Sequence, residues 1–108
     1  GEMREMSEVK SAGITELQAA ISRGEQVIDV RELHEFDSGH VPGAVHIPLS
    51  VIPVRMNEIK KNEAVWVICQ SGNRSWHATE YLTRHGYTAT NVDGGTTAWR
   101  ATGFPIEM

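Results

Sequence analysis

The chain has 108 residues, of which 40% are hydrophobic and 22% charged, with a formal net charge of -4. That length suits one compact domain around one core, and the acidic balance argues against nucleic acid as a partner. A single cysteine excludes an internal disulfide and fits a reducing compartment, while the longest strong apolar run, Ala64 to Cys69, is far below the ~20 residues a membrane helix needs.

Taken in chain order, residues 1–8 show no clear period. Gly1 reads as a remnant of an expression tag, with the native start at Met3 or Met6, so a flexible N-terminus is expected over 1–8 and a single domain over 9–108. No secretory signal is visible, which together with the lone thiol makes a cytoplasmic location the expectation. Val9 and its neighbours are placed in a short edge strand. Thr15-Glu16-Leu17-Gln18 has the spacing of a capping box, and Leu17, Ala20 and Ile21 form an apolar stripe ending near Gly24, the pattern of a structural helix.

Gln26 to Val30 reads as the next strand, with Asp29 and Arg31 at its carboxyl end. By themselves these two would form a surface ion pair worth under ~1 kcal/mol. Glu32 to Ser38 is expected as a short helical turn that packs Phe36 inward and is broken by Gly39. Glu35 is placed to pair with Arg31 at i, i+4, or to remain solvated. His40-Val41-Pro42-Gly43-Ala44 is a turn whose Pro-Gly pair fixes its course, followed by an extended run over Val45 to Ile47 up to Pro48. Ser50 to Ile59 is expected as a helix or loose helical segment interrupted by Pro53, and Lys60 to Glu63 as a polar turn.

Val65-Trp66-Val67-Ile68 then reads as a central strand covered on both faces, carrying Cys69 at its carboxyl end. Gly72 and Asn73 permit backbone conformations that larger residues resist. A helix is predicted from Ser75 to His85, with Ala78, Tyr81, Leu82 and His85 on one face and Gly86 ending it. Thr88 to Asp93 is the last strand, and Gly94-Gly95 lets another backbone come close, the expected neighbour being the cysteine loop. Thr96 or Thr97 is read as the cap of a final short helix carrying Trp99, a core aromatic. Trp76 is placed either in the core or at the pocket mouth.

A lone cysteine after four apolar residues is, by itself, usually a small buried hydrophobe. The loop that follows changes that reading. At a helix amino end, unpaired N–H groups and the positive end of the helix dipole favour an anion, so a thiol there ionises below its free value near pH ~8.5. Arg74 at the loop's rim adds a planar donor fork suited to an oxyanion. The combination describes a nucleophile meeting an anionic substrate. Five histidines, His34, His40, His46, His77 and His85, show no His-x-x-x-His or Cys-x-x-Cys spacing, so no metal site is expected.

Cys69-Gln70-Ser71-Gly72-Asn73-Arg74-Ser75 resembles the active-site loop of the rhodanese family, sulfurtransferases that carry sulfur as a cysteine persulfide. Asp29-Val30-Arg31 with Glu35-Phe36, Gly39-His40-Val41-Pro42-Gly43-Ala44 with Ile47-Pro48, and Gly94-Gly95 with Trp99, Gly103 and Pro105 resemble further motifs of that family, in the same order. Alternating strands and helices already imply an α/β fold, a parallel sheet with helices on both faces and a ligand site beyond the carboxyl ends of the strands. The resemblance implies in addition a rhodanese-like fold with five strands. It also gives Cys69 the catalytic role and makes Gln70, Ser71, Gly72, Asn73, Arg74 and Ser75 the substrate-binding loop. Asp29 and Arg31 become its supports, and His40 a brace of its turn.

The expected activity is that of a thiosulfate sulfurtransferase. Cys69 takes sulfane sulfur from a small anionic donor such as thiosulfate and passes it to a thiol or cyanide, with no cofactor and no separate general base. Gln70 and Ser71 are neutral where many thiosulfate-preferring loops carry a basic residue, which admits a protein persulfide as donor. Two rivals share the fold: phosphatases and arsenate reductases, whose loops have five residues between cysteine and arginine where this chain has four, and non-catalytic binding domains, which commonly lack the cysteine.

Overall fold

The computed structural model describes residues 9–108, so the expectation for residues 1–8 lies outside the described residues. Five parallel strands, β1 (Ser11–Ala12), β2 (Gln26–Asp29), β3 (Val45–His46), β4 (Val65–Ile68) and β5 (Ala89–Val92), form one sheet in the order β1-β5-β4-β2-β3. The helices are α1 (Ile14–Ser22), α2 (Leu33–Asp37), α3 (Ile52–Arg55), α4 (Asn73–Arg84) and α5 (Gly95–Thr102), with 3-10 turns at Leu49–Val51 and Met56–Glu58. None of the described helices is long and apolar enough to cross a membrane.

The period of two along β4 explains why its sequence is apolar throughout. Val65, Val67 and Cys69 face one layer with Ala78 and Leu82 of α4 and with Ile47, Ile52 and Ile59. Trp66 and Ile68 face the other with Leu17 and Ala20 of α1 and Trp99 of α5. A strand covered on both sides has no polar face to offer. The same alternation aims the Cys69 side chain at the α4 layer.

The edge strand expected around Val9 and before Ile14 forms over Ser11–Ala12. Several other local expectations are revised. Gly13 precedes α1, and the Glu16 carboxylate accepts from its N–H at 3.0 Å, so the capping carboxylate is real but Thr15 is already helical. Pro53 does not interrupt a helix. It sits in the first turn of α3, where its missing N–H would have no helical partner. α4 begins two residues earlier than predicted, after Gly72 at φ +108°. On that helix Ala78 and Leu82 are buried, whereas His85 is exposed at the C-cap, its Nδ1 2.8 Å from the Tyr81 carbonyl.

Neither Thr96 nor Thr97 caps α5; Gly94 does, at φ +81°. The glycine pair is required by the neighbouring backbone. Gly95 lies at φ +56°, and a Cβ there would come within 2.5 Å of the Cys69 carbonyl oxygen and 2.6 Å of the Gln70 carbonyl group. Gly95→Ala therefore combines a left-handed conformation, costing about 1–2 kcal/mol in a residue with a Cβ, with a clash that only a shift of the loop can relieve. Denaturant unfolding is expected to show a loss of at least about 1 kcal/mol, from that strain alone.

Candidate active site

The Cys69 carbonyl accepts from the Thr96 N–H at 2.9 Å and from the Thr96 hydroxyl at 3.0 Å, and the Gln70 carbonyl accepts from the Thr97 N–H at 3.1 Å. With these carbonyls fastened to the first turn of α5, the chain turns so that its next amides face the sulfur. The Gly72 N–H donates to Cys69 Sγ at 3.1 Å, and Ser75 Oγ lies 3.2 Å from it. Cys69 is only 1% exposed. Burial pushes its thiol up, but the hydrogen bond that the Ser75 hydroxyl can offer the thiolate, with those from the amides of Ser75, Gly72 and Ser71, outweighs this, so the thiol ionises below its ordinary value.

Asp29 and Arg31 are not a surface pair. They are 0% and 1% exposed, and Arg31 Nε and Nη2 grip both Asp29 oxygens at 2.8–3.1 Å. The remaining donors reach outward: Nη2 to the Gly39 carbonyl at 2.9 Å and Nη1 to Gln70 Oε1 at 3.0 Å. Gln70 Nε2 in turn donates to Thr97 Oγ1 at 2.9 Å. Gln70 thus ties the loop to the end of β2 on one side and to α5 on the other, and its side chain is engaged within the protein.

Arg74 stands on the rim, as its position in the loop suggests, but it is already partnered. Its Nη1 and Nη2 donate to the two Glu35 oxygens at 2.8 and 2.9 Å, so Glu35 pairs with Arg74 across 39 residues and not with Arg31. The Arg74 hydrogen bonds hold the Glu35 carboxyl down at about 2, and the pairing raises Arg74 above its ordinary value. Ser71 and Asn73 point to solvent, and Trp76 is half-buried beside them. Phe36, half-buried, stacks between His40 (ring centroids 3.6 Å apart) and His46 (4.7 Å). His40 braces its turn through Nδ1 to the Phe36 carbonyl at 2.8 Å; a carbonyl only accepts, so this nitrogen carries the proton.

The sequence reading missed three partners: Glu35 for Arg74, Thr97 for Gln70, and Asn91 for Ser75. Asn91 left a signal, an amide inside a strand otherwise fit for burial. The other two arise from contacts across many residues that no local pattern encodes.

A model of the rhodanese-like domain matches residues 14–102. The chain belongs to the rhodanese-like family. A sulfurtransferase from Allochromatium vinosum is 41% identical over 81 residues, covering 74% of this chain and 76% of that relative. The thiosulfate sulfurtransferase GlpE of Pseudomonas syringae is 34% identical over 103 residues, covering 94% and 96% of the two chains. The solved structure of a rhodanese-related protein from Thermoplasma volcanium superposes with a TM-score of 0.85 at 31% identity, over 91% of this chain and 97% of that one. These likenesses support a sulfur-transfer role of the rhodanese kind.

Two outcomes follow for the pairs that frame this rhodanese site. Asp29→Ala strands the Arg31 guanidinium in the interior, and the expected loss is about 3–5 kcal/mol of stability in denaturant unfolding. For Glu35, the folded carboxyl titrates near 2, below its ordinary 4.5, so its pairing stabilises the fold fully above 4.5 and is lost as pH falls through about 2. Glu35→Gln is expected to flatten the pH dependence of stability in that acid window and leave its slope near neutrality unchanged.

Proposed function

We propose that this protein is a sulfurtransferase that carries sulfane sulfur as a persulfide on Cys69. The observation that carries the reading is a buried thiol at the carboxyl end of the central strand, with a loop amide on its sulfur and its ionisation favoured by the loop. The thiolate attacks the outer sulfur of a donor such as thiosulfate; the S–S bond breaks, sulfite leaves with the electron pair, and Cys69 becomes a persulfide anion. A thiol or cyanide nucleophile then attacks the outer sulfur, takes it as a persulfide or thiocyanate, and returns the Cys69 thiolate. With Cys69 and an acceptor thiol each attacking as a preformed thiolate, no separate base abstracts a proton in either step, and no redox partner enters.

The amides of Ser71, Gly72 and Ser75, which face the sulfur, are the loop groups suited to an anionic outer sulfur, since the side chains of Gln70, Arg74 and Ser75 all have partners within the protein. An anionic donor that uses Arg74 must compete with Glu35. Arg74→Ala is therefore expected to raise KM for thiosulfate, by up to the roughly 1.5–3 kcal/mol of a charge-assisted contact, and Glu35→Gln to lower it. The donor in the cell is then a species that loads Cys69 without depending on a free cation at the rim, and a protein persulfide meets that description.

The four residues between Cys69 and Arg74 make a tight loop, which fits a single exposed sulfur atom better than a tetrahedral phosphate or arsenate. The test is a pair of assays on the unmodified protein. Sulfur transfer from thiosulfate to cyanide is expected, abolished in Cys69→Ser with the fold retained, and no appreciable hydrolysis of an aryl phosphate. Phosphatase turnover without sulfur transfer contradicts the proposal, as does residual transfer by Cys69→Ser above the uncatalysed rate.

A further inference from the structure

Ser75 and Asn91 form a buried polar chain behind the sulfur, and the direction of its hydrogen bonds can be assigned. Asn91 is 1% exposed and lies opposite Val67 on the neighbouring strand, on the Cys69 side of the sheet. Its Nδ2 is 3.3 Å from Asp93 Oδ1 and 3.3 Å from Ser11 Oγ. A carboxylate oxygen only accepts, so the amide nitrogen faces Asp93 and Oδ1 faces Ser75. Asn91 Oδ1 also only accepts, and Ser75 Oγ lies 2.6 Å from it. The single hydroxyl proton of Ser75 is therefore held by Asn91, and toward Sγ, 3.2 Å away, the hydroxyl offers a lone pair.

From this geometry we propose that Asn91 is a positioning residue that sets the ionisation of Cys69 by competing for the Ser75 hydroxyl proton. In the thiol state the chain is complete: S–H donates to Ser75, and Ser75 donates to Asn91. When the thiol loses its proton, Ser75 can support the anion only by swinging its O–H from Asn91 to sulfur, which leaves a buried amide oxygen without its donor. Asn91 thus keeps the resting thiol less acidic than the loop amides and Ser75 alone would make it. The inference rests on Cys69 as the reactive thiol, and its test requires no sulfur donor.

Charged groups also stand on the elements packed around the site. They are Arg74 on α4 with Glu35 of α2, Glu32 beside that pair, the buried Asp29 and Arg31 at the end of β2, and Asp93 after β5. Replacing Asn91 by an apolar residue adds no charge among them but takes one donor from Asp93, a change that remains in the Ser75→Ala background and is thereby separated from the hydroxyl.

The experiment is the pH profile of Cys69 alkylation by iodoacetamide, whose rate follows the thiolate fraction. Asn91→Val is expected to move the profile to lower pH and to raise the alkylation rate several-fold at a fixed pH below the midpoint. Ser75→Ala is expected to move it to higher pH. The double variant should match Ser75→Ala, because Asn91 acts only through that hydroxyl. A merely structural role for Asn91 would not vanish in the Ser75→Ala background. Should Asn91→Val melt too low to titrate, Asn91→Leu, close to asparagine in shape, carries the same expectation. An unchanged profile, a shift to higher pH, or a shift that persists without the Ser75 hydroxyl overturns the proposal.

Discussion

The site depends on where two carbonyls go. The Cys69 and Gln70 carbonyl oxygens are bound by the Thr96 and Thr97 amides at the start of α5, a contact that Gly95 makes possible by having no side chain. With these acceptors turned toward α5, the loop presents N–H groups toward the sulfur, and the α4 helix starts at the geometry set by Gly72. Were the carbonyls free to turn inward, the same sequence would surround the thiol with negative dipoles and favour its neutral form. The catalytic electrostatics proposed for Cys69 are thus a consequence of backbone fastening more than of any charged side chain.

The two arginines near the loop illustrate the point. Arg31 is matched by Asp29 in the interior and Arg74 by Glu35 at the rim, so neither brings an uncompensated positive charge to the site. Arg31 serves the loop through a neutral link, Gln70 Oε1, where the cost of breaking the buried ion pair would be high. Arg74 is exposed enough for the anionic donor proposed above to displace Glu35. That division assigns rigidity to the buried pair and adaptability to the outer one, and it accounts for why the residues after the cysteine can be neutral.

Most of the architecture was legible because it rests on periodicities and turn chemistry. The apolar run of β4, the break at Gly86 and the crowding implied by Gly94-Gly95 each have a local cause, and the parallel sheet of five strands agrees with what alternating elements and the family motifs imply. Element edges were less legible. α4 starts at Asn73 because Gly72 adopts a positive φ, and Pro53 fits the first turn of α3 where the sequence suggested a break. The partners of the loop residues were legible only in part: Glu35 and Arg74 are 39 positions apart, and Asp29 and Arg31 were placed beside the loop by the family motifs, while their own neighbours suggested no more than a surface pair. Ser75 stood in the predicted loop, but its link to Asn91 exists only because β5 lies beside β4 in the sheet.

The proposed persulfide requires sulfur to become bonded to Cys69, and mass spectrometry of the intact protein after exposure to thiosulfate measures that directly. The gain of one sulfur atom, reversed by cyanide and absent from Cys69→Ser, is the predicted result. An unchanged mass after exposure to both thiosulfate and a persulfide donor, with the thiol still open to alkylation, would contradict it.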